Sequence, residues 1–449
     1  MHRAVPQALK ISKPKTCSTP WLGWLLLSGM IRLIVISLVN RQVPSPYMDE
    51  VFHVNQTRQY CNGNYSEWDD SITTFPGMYV IIAWMANLVN TACEMTGICI
   101  LDACSVSNLR IINGLLFGSV LDFSVWNLAP TIGSFASVVS MPIIAFYSIL
   151  YYTDTAATGT VFAAMALFKT GHIAQSGLVG LVAVAIRQTN IAWVFVMACG
   201  HLVSTALELD GSPDNQILKD RRRIGHALVQ LRFHIIGGIG FSGFLYANDW
   251  SPVLGHREYH RFKAHFAQLN YFLLTALFVS GPSEWWRVIQ KLKIQTIAGT
   301  RSFVLKFVLL TALFSACARL GTIAHQFILS DNRHLTFYLW RRVFKHPAVR
   351  EILIPLISAT AAILSSSLEA FRLTKNRIAN SLLFWVAVLL VLVPTSLLEF
   401  RYFSIPLAIV SLNHDHLKWH LTVTTGLIGL FVFFPFQNAQ TGTSDRFML

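Results

Sequence analysis

Charged side chains are scarce in this chain: Asp, Glu, Lys and Arg make up 13% of its 449 residues. A soluble globular chain carries about twice that fraction, so an ordinary water-soluble domain is excluded. Regular apolar/polar alternation is also missing from the apolar stretches, which excludes membrane-barrel strands. The seven cysteines form no Cys-x-x-Cys pair, and neither His-Glu-x-x-His nor Asp-x-Asp occurs. No familiar metal-ligand spacing is therefore present, and no metal site is expected. The first apolar run, Trp21 to Val39, is too long for a signal-peptide core and no Ala-x-Ala follows it, so it reads as a retained span. Lipidation motifs and a KDEL-type tail are absent as well.

Apolar residues fill the space that charge leaves. They make up 53% of the chain, the mean hydropathy is +0.50, and runs near the ~20 residues needed to cross a bilayer recur throughout. The fold class is an all-α polytopic membrane protein with roughly 12 to 14 spans. The net charge of +13 belongs to cytosolic loops and anionic head groups, with membrane lipid as the partner and no nucleic acid. Residues 1–20 are polar and basic and read as a cytosolic tail. Residues 21–436 form a single membrane domain with a large lumenal loop at 41–108, and 437–449 a C-terminal tail.

Sidedness follows from counting spans. The first span delivers 41–75, an acidic loop with sequons at Asn55 and Asn64, to the lumenal side. If the short run 76–90 is re-entrant rather than spanning, the basic loop 214–232 falls in the cytosol, as charge bias favours. The later spans then lie near 109–128, 135–152, 155–168, 173–186, 191–206, 232–247, 268–281, 303–325, 350–366 and 380–397, with about two more to follow. On this threading the clusters at 48–50, 151–154, 187–190, 260–268, 331–334 and 398–402 share the lumenal side. Basic residues at 257–263 and 333–345 break the positive-inside pattern, and a lumenal anionic ligand such as phosphate would explain them. Cys61, Cys93, Cys99 and Cys104 flank one non-cytosolic stretch where a disulfide can form, with the pairing unassigned.

A helix starting after Pro46 places Asp49, His53, Gln56 and Tyr60 on one face, while Glu50 points about 100° away. A single reaction centre could therefore use only one of the two carboxylates directly. Arg187-Gln-Thr-Asn190 is a dense donor set suited to sugar hydroxyls or phosphate. His260 and His265, at i,i+5, do not share a helical face, so they suit polar substrate contacts or a structural role better than a metal. Asp122, inside an apolar run, must face a partner or mark a helix end. His414-Asp-His416 reads as a solvated cytosolic turn.

Six stretches carry a resemblance: Pro46-Tyr-Met-Asp-Glu-Val-Phe-His53, Thr73-Thr-Phe-Pro-Gly-Met-Tyr79, Tyr151-Tyr-Thr-Asp154, Arg187-Gln-Thr-Asn-Ile191, Ser330-Asp-Asn-Arg-His-Leu-Thr-Phe-Tyr338 and Leu397-Leu-Glu-Phe-Arg-Tyr-Phe403. Together they resemble the dolichyl-phosphate-glucose-dependent alpha-1,2-glucosyltransferases of the endoplasmic reticulum, in order from about residue 21 to 412. Where that family tends to have Asn-Gly and Gly-Asp, this chain reads Asn248-Asp249 and Gly255-His256. The resemblance implies a GT-C-type fold in the endoplasmic reticulum membrane with a lumenal site and no cofactor, metal or nucleotide. The substrates implied are dolichyl-phosphate-glucose as donor and a diglucosylated dolichyl-diphosphate oligosaccharide as acceptor.

A beta-linked donor and an alpha-linked product imply inversion, with one carboxylate as base. That role maps onto Asp49 or Glu50, and the face shared with His53 and Gln56 favours Asp49. His53 or the other carboxylate would orient the acceptor or tune the base. Arg401, beside Glu399, is the first choice for the donor phosphate, followed by Arg333 and His334. Arg187, Gln188, His260, His265 and Gln268 would line the sugar pocket, with Asp154 in the same cluster. Another polyprenyl-phosphate-sugar glycosyltransferase, or a lipid or solute transporter, fits the same composition.

Overall fold

The first span begins at Trp21, where the apolar run begins. In a computed structural model of the chain, the described residues are 21–96, 102–209, 217–259, 263–297, 301–364, 368, 371–438 and 444–449. Helix α1 (Trp21–Gln42) turns Leu22, Leu26, Met30 and Ile34 outward, each at least half exposed, and buries Arg32, Ile36 and Val39. One face thus suits lipid and the other the bundle.

A loop leads to α2 (Glu50–Cys61), followed by α3 (Gly77–Thr96), α4 (Val106–Ile112) and α5 (Gly118–Leu128). A π-helical turn, Asn113–Phe117, joins α4 to α5. Asp122 on α5 finds its partner in α1: Arg32 Nη2 donates to both its oxygens at 3.0 Å, and Ser28 Oγ donates to Oδ2 at 2.7 Å. Both ion-pair side chains are almost fully buried. A Cβ on Gly118 would sit 2.4 Å from the Arg32 guanidinium, so only glycine lets the cation lie across α5.

The run at 135–152, read as one span, is instead two short helices, α6 (Ile132–Val139) and α7 (Pro142–Ser148). Pro142 supplies no N–H for a continuing ladder and starts the second helix at its first position. The next elements follow the threading closely, α8 (Thr153–Lys169), α9 (Ile173–Ile186), α10 (Ile191–Leu209) and α12 (Arg232–Ala247), but the stretch read as a basic loop at 214–232 holds a helix, α11 (Ile217–Gln230). Helix α13 (Ala267–Ile297) runs past the expected end at 281 but kinks at Gly281, whose φ of 77° precedes Pro282. Then come α14 (Arg301–Leu320), α15 (Gln326–Ser330), α16 (Leu335–Leu339), α17 (Pro347–Leu364), α18 (Arg377–Leu392), α19 (Ser404–Ser411) and α20 (Leu417–Phe433). A two-residue antiparallel pair, β1 (Phe436–Gln437) with β2 (Ser444–Asp445), closes the order.

The protein is an all-α membrane protein. By length and composition, three helices among the described residues can cross a bilayer: Trp21–Gln42, Val106–Leu128 and Gln188–Leu207. The pair Arg222–Gln230 and Arg232–Ala247, bent by 63°, is either a broken fourth span or a re-entrant loop, and shorter apolar helices accompany them. Helices α8 and α9 pack along each other and α5 lies against α8, around a core that includes Trp193, Phe162, Phe272 and Phe403.

The turn at 414–416 is not simply solvated. His416 is buried, its N–H donates to Ser137 Oγ, and the α13 kink brings Glu284 alongside. Ligating atoms of Glu284, His414 and His416 lie within 4.8 Å of one another, although Glu284 already holds Arg287 at 2.5 Å.

Candidate active site

Pro46 and the residues around it bend the chain out of α1 and into α2, with Asp49 at the cap position of α2. Met48 adopts φ of 56°, a left-handed conformation unfavourable for a side chain of this kind. Its neighbours hold it there. The Tyr47 N–H donates to Glu50 Oε2 at 3.0 Å, and the Asp49 N–H to Tyr152 Oη at 3.1 Å. This turn separates the two adjacent carboxylates.

Glu50 is completely buried. Its Oε1 accepts from Arg110 Nε at 2.9 Å and from the Tyr151 N–H at 2.7 Å, and its Oε2 accepts from Arg110 Nη2 at 2.5 Å. The remaining donors of Arg110 go to Asn40 Oδ1 and the carbonyls of Val43 and Ser45. Glu50, one of the two candidates for base, is thus a clamp between the α1–α2 loop, α4 and the start of α8, and it does not line the cavity. Asp49 does line it, with 37% of its side chain accessible.

The cavity has a volume of about 580 Å³, within the ~300–1,000 Å³ range of ligand sites. Seven separated stretches form its wall: 48–53, 71–74, 153–158, 187–193, 253–256, 327–336 and 391–405. Of the residues singled out in the sequence, Asp49, His53, Arg187, Gln188, Arg333, His334, Glu399 and Arg401 come together there. Asp154 sits behind the wall and holds Arg187, which donates to its Oδ1 at 2.6 Å. His265 and Gln268 also lie outside the wall: they reach the carbonyls of Thr395, Ser396 and Leu397 and so support the 391–405 stretch from behind. His260 lies outside the described residues.

Arg401 is the electrostatic centre. Nη1 meets Asp49 Oδ2 at 2.8 Å, Nε meets Glu399, and the guanidinium lies 5.7 Å from the Tyr152 ring centroid. Burial pushes the Asp49 carboxyl up, but Arg401 first, then His53 and His334, outweigh it and hold it below the ordinary value. His53 donates to or accepts from Tyr79 Oη through Nδ1 at 2.7 Å. Burial, more than Asp49 can offset, drops its pKa to about 4, so its ring is neutral at pH 7. Arg333 is held by Asp331 at 2.8 Å. Gln188 Nε2 donates to Thr73 O at 2.7 Å, while its buried Oε1 has no hydrogen-bond partner. That unsatisfied acceptor can take a sugar hydroxyl.

Several wall residues escaped the sequence reading. Asp331 and Tyr402 lie inside the stretches that carry the resemblance and His256 in the departure from the family's Gly-Asp, but Trp193 sits in an apolar run with no local signal. The 253–256 stretch reaches the cavity because the Leu254 and Gly255 N–H groups donate to Thr73 O and Ile72 O. A disulfide joins Cys61 to Cys104 and ties the end of α2 to the approach to α4.

The family model described as the DIE2/ALG10 family matches residues 43–412. The Dol-P-Glc:Glc(2)Man(9)GlcNAc(2)-PP-Dol alpha-1,2-glucosyltransferase of Arabidopsis thaliana is 30% identical, over 95% of this chain and 100% of that protein. Proteins of that name from Homo sapiens and Mus musculus are each 30% identical, over 86% of this chain and 87% of theirs. No solved structure matches the chain.

Proposed function

The chain belongs to the DIE2/ALG10 family of glucosyltransferases, and from that footing we propose how its cavity transfers glucose. The donor is dolichyl-phosphate-glucose and the acceptor the diglucosylated dolichyl-diphosphate oligosaccharide, as the relatives' names state for those proteins. The protein sits in the endoplasmic reticulum membrane with the cavity on the lumenal side. The Cys61–Cys104 disulfide, at the far end of α2 from Asp49, supports an oxidising compartment.

The observation that carries the assignment of the base is the division of labour between neighbours. Asp49 is open to the cavity, whereas Glu50 has both oxygens committed to Arg110 and backbone donors. Asp49 takes the proton of the acceptor hydroxyl as that oxygen bonds to C1 of glucose. The C1–O bond to phosphate breaks with inversion, and its electron pair leaves on dolichyl phosphate. One negative charge disappears from Asp49 and one appears on the phosphate.

In-line displacement puts base and leaving phosphate on opposite faces of C1. A guanidinium 2.8 Å from the base is therefore poorly placed to hold the phosphate as well. Arg401, the first choice from sequence, instead holds Asp49 ionised and aimed. Arg333 and His334, in the 327–336 stretch of the wall, receive the phosphate. Arg187 and Gln188 line the sugar pocket, and the 41–108 loop supplies the catalytic turn.

The test is reconstitution of the full chain with dolichyl-phosphate-glucose and the diglucosylated lipid-linked acceptor. Transfer of one alpha-1,2-linked glucose supports the reading, and its absence under conditions in which a relative works overturns it. Arg333→Ala should raise the KM for donor more than it lowers kcat, and Arg401→Ala should do the reverse.

A further inference from the structure

The chain's last described segment, 444–449, lies beyond the stretch matched by the family model, which ends at 412. It nonetheless reaches two of the stretches that form the cavity, next to 48–53 and within 327–336. The Tyr47 hydroxyl, two residues before Asp49, donates to Arg446 O at 2.6 Å and accepts from the Arg446 N–H at 2.7 Å. At the 327–336 stretch of the wall, the Met448 N–H donates to Arg333 O at 2.8 Å and the Leu335 N–H donates to Met448 O at 2.9 Å. These two bonds bracket His334, which pairs with Met448 as a parallel bridge.

The segment is itself anchored. The Arg446 guanidinium donates to the carbonyls of Phe431 and Val432, at the end of α20, at 2.8 and 2.6 Å, and to Gln42 O, at the end of α1, at 3.0 Å. Helix C-termini leave unsatisfied carbonyls and carry partial negative charge, so one cation ties two helix ends on the same side of the bundle. Tyr147 Oη donates to Leu449 O at 2.7 Å, and Phe447 stacks on Phe436 with centroids 4.5 Å apart. Asn438 bonds Asp445 at 2.7 Å and exchanges amide bonds with Asn332 in the 327–336 wall.

We propose that residues 444–449 are a strap that positions the catalytic turn against the phosphate-binding wall, with Arg446 and Tyr47 as its positioning residues. The unfavourable Met48 conformation lies between the strap's anchor, Tyr47, and the base, Asp49. Backbone strain of this sort persists only where surrounding contacts over-determine it, and the two Tyr47–Arg446 bonds are among those contacts. The strap touches no reacting atom. It acts by fixing the spacing between Asp49 on one side and Arg333 and His334 on the other, a spacing to which displacement chemistry is sensitive at the scale of 1 Å. The proposal rests on the reading of the cavity as the glucosyl-transfer site, but its structural half can be measured separately.

Tyr47→Phe and Arg446→Ala, in the reconstituted full chain, test it through hydrogen exchange of 331–336 and 47–53, through kcat and KM, and through the unfolding midpoint. Exchange at 331–336 should rise and the kcat of the folded fraction fall about tenfold, the factor that two hydrogen bonds of ordinary strength supply, with the Tyr47→Phe midpoint lowered by no more than the loss of those two bonds. A role in stability alone would lower the midpoint and leave the kcat of the folded fraction unchanged. Tyr47→Phe keeps the ring packed on Phe431, 5.7 Å away, and decides the matter alone should Arg446→Ala fail to fold. Wild-type exchange at 331–336 in Tyr47→Phe overturns the strap, whatever the turnover. If the wild-type chain transfers no glucose, the assigned function falls while the exchange result still decides whether the strap orders this wall.

Discussion

Replacing Asp49 and Glu50 one at a time separates chemistry from architecture, because the structure gives these neighbours opposite environments. Asp49→Asn keeps the shape of the side chain but removes the basic oxygen. Arg401 retains Glu399, and the Asp49 side chain is more than one-third accessible, so the stability loss stays within the ~0–1 kcal/mol of exposed pairs. Turnover should fall ~10²–10⁴-fold, the usual contribution of a positioned base. Glu50→Gln does the opposite. It leaves the wholly buried Arg110 guanidinium without its counter-charge, and breaking such a pair costs ~3–5 kcal/mol. The folded fraction should keep a kcat within a few-fold of wild type, since Glu50 is not on the cavity wall. The assay is single-turnover glucose transfer in nanodiscs alongside a denaturant or thermal midpoint for each variant. Wild-type turnover in Asp49→Asn would refute the base assignment, and a wild-type midpoint in Glu50→Gln would refute the clamp.

Three further outcomes follow from the same geometry. Folding lowers the pKa of His53 from 6.5 to about 4, so between these values the unfolded chain binds the proton and the folded chain does not. Stability contributed here is whole above pH 6.5 and drains away by ~3 kcal/mol as pH falls to 4; His53→Gln should flatten that part of a stability–pH curve, and an unchanged slope would count against the buried neutral ring. Asp122→Ala strands the buried Arg32 and should destabilise by ~3–5 kcal/mol, whereas Arg32→Met with Asp122→Leu should recover most of the loss; a double variant no more stable than the single would contradict the pairing. Removing the Cys61–Cys104 bond, whose cysteines are 43 residues apart, should cost about 4 kcal/mol by loop entropy, measured by unfolding with and without reductant, and no change would mean the loop is held by other contacts.

Composition and hydropathy alone determined the class, because a chain this apolar and this poor in charge has to satisfy its backbone inside helices. They also located most helices closely, as at 173–186 and 232–247, since an apolar run ends where polar residues mark the boundary. Counting the spans placed the clusters at 48–50, 187–190, 331–334 and 398–402 together, and residues from all four line the cavity. The run at 135–152 misled because its hydropathy is continuous while Pro142 interrupts the hydrogen-bond ladder. The sequence could say that Asp49 and Glu50 point in different directions, but only the fold showed which way each points. Glu50 meets an arginine 60 residues on, Arg110, and Asp49 one more than 350 residues away, Arg401. Periodicity carries no information about contacts of that separation. The same limit hid Arg32 beneath Asp122, and it hid the 444–449 strap, whose contacts with Tyr47 and Arg333 join residues some 400 and 115 positions apart.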